Sequence, residues 1–159
     1  KTKTILAYLA GIVDADGTIG IKRNTYSVRV VKDSANPTFS ERVAVHQVEP
    51  HAINILRELF GGYRGMRYPS AKMGRMLHSW QVTDLKATRF LEAISPYLKI
   101  KKNQAENCLE LRRIKEISKR ARVARGRGHA GASPRPLYLT ERMESLKHRA
   151  NVLNRVGRG

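Results

Sequence analysis

Leu9-Ala10-Gly11-Ile12-Val13-Asp14-Ala15-Asp16-Gly17 is the stretch on which the reading of this chain turns. Ile5, Leu9, Ile12 and Val13 fall on one stripe, so the spacing predicts a helix from Thr4 to about Val13, capped by Thr4 and ended by Asp16-Gly17. Ala7, Ala10, Gly11 and Ala15 set small side chains beside that stripe, where another backbone could approach closely. Two carboxylates then arrive at the helix C-terminus, where the peptide dipoles already place partial negative charge. Acids set against the dipole usually serve a cation, and Mg²⁺ needs only one or two carboxylates beside carbonyls, waters and a substrate phosphate. The plainer alternative is a pair of solvated acids in a turn before Gly17.

After Gly17 the hydrophobic period changes from helical to two. Ile19, Ile21 and Arg23 alternate with Thr18, Gly20, Lys22 and Asn24, a strand with one polar face. Ser34-Ala35-Asn36-Pro37 reads as a turn, and Glu41 to Gln47 as a second strand with Val43 and Val45 on one side. Pro50 introduces a helix over 51–60 that stops at Gly61-Gly62. Strands over 63–68 and 76–83 and helices over 85–97 and 102–120 follow, with Trp80 and Phe90 on apolar faces as core. Arg120 to Pro136 reads as a loop, and 137–155 as a last basic helix. The succession αββαββα predicts an α+β fold with a twisted antiparallel sheet, plus C-terminal helices. It divides the chain into a core over 1–120 and a basic extension over 121–159.

The 159 residues hold 31 Lys and Arg against 13 Asp and Glu, a net charge of +18. Such an excess opposes compaction unless a polyanion shares the surface, so nucleic acid is the first partner to consider and an anionic membrane the second. No stretch approaches the roughly 20 apolar residues of a spanning helix. The apolar run Ile5–Ala10 meets Asp14 and Asp16 without the pattern of a cleavage site. With Cys108 as the single cysteine, an intrachain disulfide and a thiolate zinc site are excluded. An intracellular, nucleic-acid-facing protein with no membrane partner is the expectation.

Residues 9–17 resemble the signature of the LAGLIDADG homing endonucleases, departing from it only at the apolar positions Ile12 and Val13. With the αββαββα order, the resemblance extends over about residues 4–120. It implies an intron-encoded, site-specific endonuclease that uses Mg²⁺, or another divalent cation such as Mn²⁺, to hydrolyse both strands of double-stranded DNA across the minor groove of a long pseudo-palindromic site. A single motif copy implies a homodimer, with Ala7, Ala10, Gly11 and Asp14 at the interface. Asp16 would ligate the metal with help from the Ala15 carbonyl, and Asp14 would steady the helix end and the neighbouring strand. Pro96-Tyr97-Leu98-Lys99-Ile100-Lys101-Lys102-Asn103-Gln104-Ala105 resembles a second family segment, which implies that Lys101 is the catalytic-site lysine. Gln47 falls where the family places a polar residue on the water network, and His51 is a further polar candidate.

The polar faces of the strands fit the remaining task. Thr18, Lys22, Asn24, Ser40, Arg42, His46, Arg64 or Arg67, Arg75, Ser79 and Gln81 mix donors and acceptors, with Arg and Lys suited to guanine and Gln and Asn to adenine. The bland alternative is the wet side of a half-buried sheet. Lys99, Lys101, Lys102, Arg112, Arg113, Lys115, Lys119, Arg120, Arg122, Arg125 and Arg127 form a second basic zone suited to phosphates. His129 carries no signal. Two other functions stay open: an RNA-binding intron maturase, and a non-catalytic DNA-binding protein on the same fold. Both acids are present, which favours cutting.

Overall fold

A computed structural model of the chain describes residues 2–24, 37–67, 74–124 and 136–156, with the side chains of Asn24, Arg67, 121–124 and 156 outside the description. Helix α1 spans Lys3–Asp16 and is capped by Thr2, whose hydroxyl accepts from the Ile5 amide at 3.4 Å. The cap is thus Thr2 rather than Thr4, which lies inside the first turn. The helix also runs to Asp16, so both acids belong to its last turn. Strand β1 (Gly17–Asn24) leaves the helix without a linker. That direct exit needs glycine, because a Cβ on Gly17 would stand 2.7 Å from the Val13 carbonyl oxygen and 2.8 Å from Val13 Cα.

Strand β2 (Thr38–Gln47), helix α2 (His51–Phe60), strands β3 (Tyr63–Arg67) and β4 (Leu77–Thr83) and helix α3 (Asp84–Ile94) complete the expected order. A single 3-10 turn over Ser95–Tyr97 follows, where a continuous helix to residue 97 was expected. Pro96 supplies the reason, since its ring removes an amide donor and blocks a further α turn. Helix α4 covers Lys102–Ala124 and α5 Leu137–Val156. Residues 120–124, expected to open a loop, belong to α4, and the expected boundary at residue 120 falls inside that helix. The remainder of that loop, with Arg125, Arg127 and His129, and the turn residues 34–36 lie outside the described residues.

The four strands form an antiparallel sheet ordered β1-β2-β4-β3. Its α+β architecture is the one the element order implies. Ile19, Ile21, Val43, Val45, Trp80 and Val82 point to one face and are buried with Leu9, Val13, Phe90, Leu91 and Leu111 of the helices. Phe90 meets Trp80 and Phe60 edge-on at 4.9 and 4.8 Å between ring centroids, and the Trp80 indole N–H donates to the Gly61 carbonyl at 2.7 Å. Trp80 and Phe90 are core, as their pattern predicts. Leu139, Met143, Leu146 and Ala150 of α5 join the same cluster, so the C-terminal helix packs into the core. No helix among the described residues is long and apolar enough to cross a membrane.

Candidate active site

The end of α1 is held by two reciprocal grips from the segment that precedes α4. The Asp14 carboxylate accepts from the backbone amides of Lys99 (2.7 Å), Ile100 (3.2 Å) and Lys101 (2.9 Å). In return the Lys101 ammonium donates to the carbonyls of Val13 (2.8 Å), Asp14 (2.6 Å) and Ala15 (3.4 Å). A cation is thereby set on the carbonyls at the negative end of the helix. Partial burial pushes the Lys101 ammonium below its usual range, and the charges of Asp14 and Asp16 oppose that shift.

Asp16 is exposed, at the last position of the same helix. One of its oxygens accepts from the Gln47 side-chain amide at 3.0 Å. Gln47 ends β2, directly opposite His78 of β4. Residues far apart in sequence, Asp16, Gln47 and Lys101, therefore meet around one helix end. His51, which opens α2, is exposed and is not hydrogen-bonded to any of these three residues. Sequence reading passes over His78, whose Nδ1 is buried without a partner beside Gln47. Only the cross-strand register could have placed it there.

The residues fit a hard divalent cation economically. Asp16 offers an exposed carboxylate and Ala15 a neighbouring carbonyl, the donor types Mg²⁺ accepts while keeping waters and phosphate oxygens. Among the described residues no group of three or more His, Cys, Asp or Glu could hold a metal alone. Among the described residues Asp16 is thus the exposed acid at this helix end.

No protein-family model matches the chain, and no curated protein matches it. Solved structures do. I-CvuI, a homing endonuclease in complex with its target in the presence of 2 mM Ca, aligns at 20% identity over 93% of this chain and 80% of its own, with a TM-score of 0.64. The archaeal intron-encoded homing endonuclease I-Vdi141I, complexed with DNA, aligns at 13% identity over 96% and 86%, with a TM-score of 0.67. The LAGLIDADG homing endonuclease I-GzeII, in complex with its DNA target, aligns at 13% identity over 89% of this chain but 43% of its own, with a TM-score of 0.58.

The chain has the LAGLIDADG homing endonuclease fold. Its motif helix is α1, and the motif residues divide by environment. Ala10 is fully buried in the chain's own core, packed with Leu9 and Val13, so it is not available to an interface. The Asp14 carboxylate is bonded within the chain, to the amides before α4 rather than to a strand. Ala7 and Gly11 remain exposed, and a Cβ added at Gly11 would meet nothing within 4 Å.

On the sheet face turned away from the LAGLIDADG helix, register aligns Thr18, Lys22 and Asn24 of β1 with Arg42 and His46 of β2 and Ser79 and Gln81 of β4. Thr18, Lys22 and Arg42 are exposed, and the Arg42 Nε donates to Gln81 Oε1 at 3.0 Å. Ser40 shares this face but is buried, its short side chain opposite Lys22 and two residues from the longer Arg42. Arg64 is a second correction, because it pairs with Trp80 and so belongs to the helix-covered face. The backbone of Arg67 has the opposite parity, on the side of Tyr63. Tyr63 itself, exposed and opposite Gln81, is an aromatic on this face that sequence reading missed.

Arg75, Lys99 and Lys102 are exposed near the ends of the elements they flank. The second basic zone is less uniform than its sequence implies. Arg112 and Lys115 are turned inward onto the buried Glu41, at 3.0 and 2.9 Å, and are taken up inside the fold rather than offered to phosphates.

Proposed function

We propose that this protein is a site-specific double-strand DNA endonuclease of the homing type, active as a homodimer with Mg²⁺ or Mn²⁺. The observation that carries the reading is the convergence of Asp16, Gln47 and Lys101 at the end of the motif helix. Asp16 and the Ala15 carbonyl would hold the metal, which when bound stabilises charge on the attacking and leaving oxygens of a phosphodiester. Gln47 orients the Asp16 carboxylate through its amide hydrogen bond. Lys101 offsets the negative end of the helix that carries the ligand. The exposed polar face of the sheet binds DNA through Thr18, Lys22, Arg42, Ser79 and Gln81.

The homodimer is supported by an incomplete centre and an uncovered helix face. One chain brings one acidic ligand, and α1 leaves Ile5, Ala7, Tyr8 and Gly11 exposed. A second copy of α1 laid against this face would bring two Asp16 side chains together. DNA complexes of I-CvuI and I-Vdi141I, which share the fold over most of their length, support duplex DNA as the partner.

The test exposes a randomised duplex library to the protein with and without Mg²⁺ and sequences the cut ends. Metal-dependent double-strand cuts at one long, roughly two-fold-symmetric site are expected from wild type. Asp16→Asn is expected to bind that site and leave it uncut. Tight binding with no cutting by wild type under any divalent metal would replace the endonuclease with the maturase or the non-catalytic binder.

A further inference from the structure

Helix α5 lies along β1, the edge strand of the sheet, and a solvent-open groove runs between them. Thr18 and Lys22 of β1, Arg42 of β2, and Lys147, Asn151 and Asn154 of α5 line it. The helix is fixed in place from two directions. Leu146 and Ala150 root it in the core, and the Asn154 side chain donates to the Ile19 carbonyl at 3.0 Å. Gly20 keeps the strand low at this point, since a Cβ there would already stand 3.3 Å from the Asn154 amide nitrogen.

Every charged residue lining the groove is a cation: Lys22, Arg42 and Lys147. The acid closest along the helix, Glu144, is engaged by Arg23 at 2.7 Å. Lys147 is also held, its ammonium donating to Asn151 Oδ1 one turn further along at 2.8 Å. Three cations around a polar cleft, beside amide donors, make a seat for a compact anion with several acceptor oxygens. Lys22 and Arg42 belong at the same time to the exposed sheet face, so an anion seated here is continuous with whatever that face covers.

We infer that the groove between β1 and α5 seats a backbone phosphate of duplex DNA, with Lys147 as its contact from the helix. The inference rests on the DNA-binding reading of the sheet given above. It adds α5 to the interface as a positioning element, one that grips the backbone beside the bases the sheet faces. A phosphate contact of this kind carries affinity and register and no sequence information.

Because the contact is independent of sequence, the probe is random-sequence duplex DNA, titrated with the full-length protein over a range of salt. Each neutralised phosphate contributes about 0.9 to the slope of log affinity against log salt. Lys147→Ala is therefore expected to lower that slope by about 0.9 for each chain bound, which at 0.1 M salt is about an eight-fold loss of affinity per groove. Lys147→Arg should restore the slope. Arg149→Ala, an exposed change outside the groove, should lose distinctly less, and thermal melting confirms that each variant is folded.

An unchanged slope in Lys147→Ala, with wild type binding DNA, overturns the groove and leaves the DNA-binding reading standing. Equal losses in Lys147→Ala and Arg149→Ala also overturn it, since they would mark diffuse charge rather than a seat. A slope that falls only with an RNA duplex as probe assigns the groove to RNA and overturns it for DNA. No binding of duplex DNA by wild type overturns both readings.

Discussion

Two charged clusters in this molecule are built from the same residue types and come out as opposites. The first ties β2 to α3 and α4. The Glu41 carboxylate, fully buried, accepts from Arg112 at 3.0 Å and Lys115 at 2.9 Å, and Lys115 reaches on to Asp84 at 2.7 Å. Arg112 also donates to the Thr88 hydroxyl at 3.1 Å. The second cluster is the end of α1, where Lys101 is spent on backbone carbonyls and Asp16 receives only an uncharged amide from Gln47. In the first cluster the cations are turned onto the acids inside the fold, both of them on one oxygen of Glu41, while its other oxygen is buried without a partner. In the second the acid that faces solvent has no cation bonded to it among the described residues. The difference separates charge that holds a fold together from charge kept ready for a partner.

The comparison can be broken at three positions, read by denaturant unfolding at one protein concentration, because an associating protein's apparent stability depends on it. Glu41→Ala should cost most, about 3–5 kcal/mol, because it takes the buried carboxylate from two half-buried cations and leaves them only their more exposed partners. A loss below about 1 kcal/mol would mean that water reaches Arg112 and Lys115 freely and the cluster holds little. Asp14→Ala should cost about 3 kcal/mol, since charge-assisted hydrogen bonds to three amides disappear together. Asp16→Asn should move stability by no more than about 0.5 kcal/mol, and upward if at all, because a negative charge leaves the negative end of a helix. A large loss in that variant would class Asp16 with Glu41 as structural.

The motif helix and the element order were legible in the sequence, and the reasons are physical. Helical and strand periods are local; Asp16 and Lys101 sit in segments whose resemblance extends over neighbouring residues, and Gln47 is marked by its place at the end of the second strand. What was illegible depends on pairing across the fold. Arg64 and Arg67 differ by three positions and therefore in parity, so only the register with Trp80 and Leu77 assigns each a face. Ser40 and Arg42 share a face, yet the lengths of their neighbours bury one and expose the other. Helix α1 carries small or apolar residues almost all round, so its pattern could not tell that Ala10 faces inward and Gly11 outward. Arg112 and Lys115 look like two more surface cations until the carboxylate of Glu41, on a distant strand, is placed beneath them.

The clasp between Asp14 and Lys101 joins residues 87 positions apart. Neither half can form from local sequence alone. Contacts of such long separation come late, after the chain entropy of closing the intervening loop has been met. A growing polypeptide thus has its acidic helix end complete long before the lysine that secures it has been synthesised. Any fragment that stops short of Lys99 carries the motif without the clasp, and the order of synthesis itself delays the site until the strands of the sheet have been made.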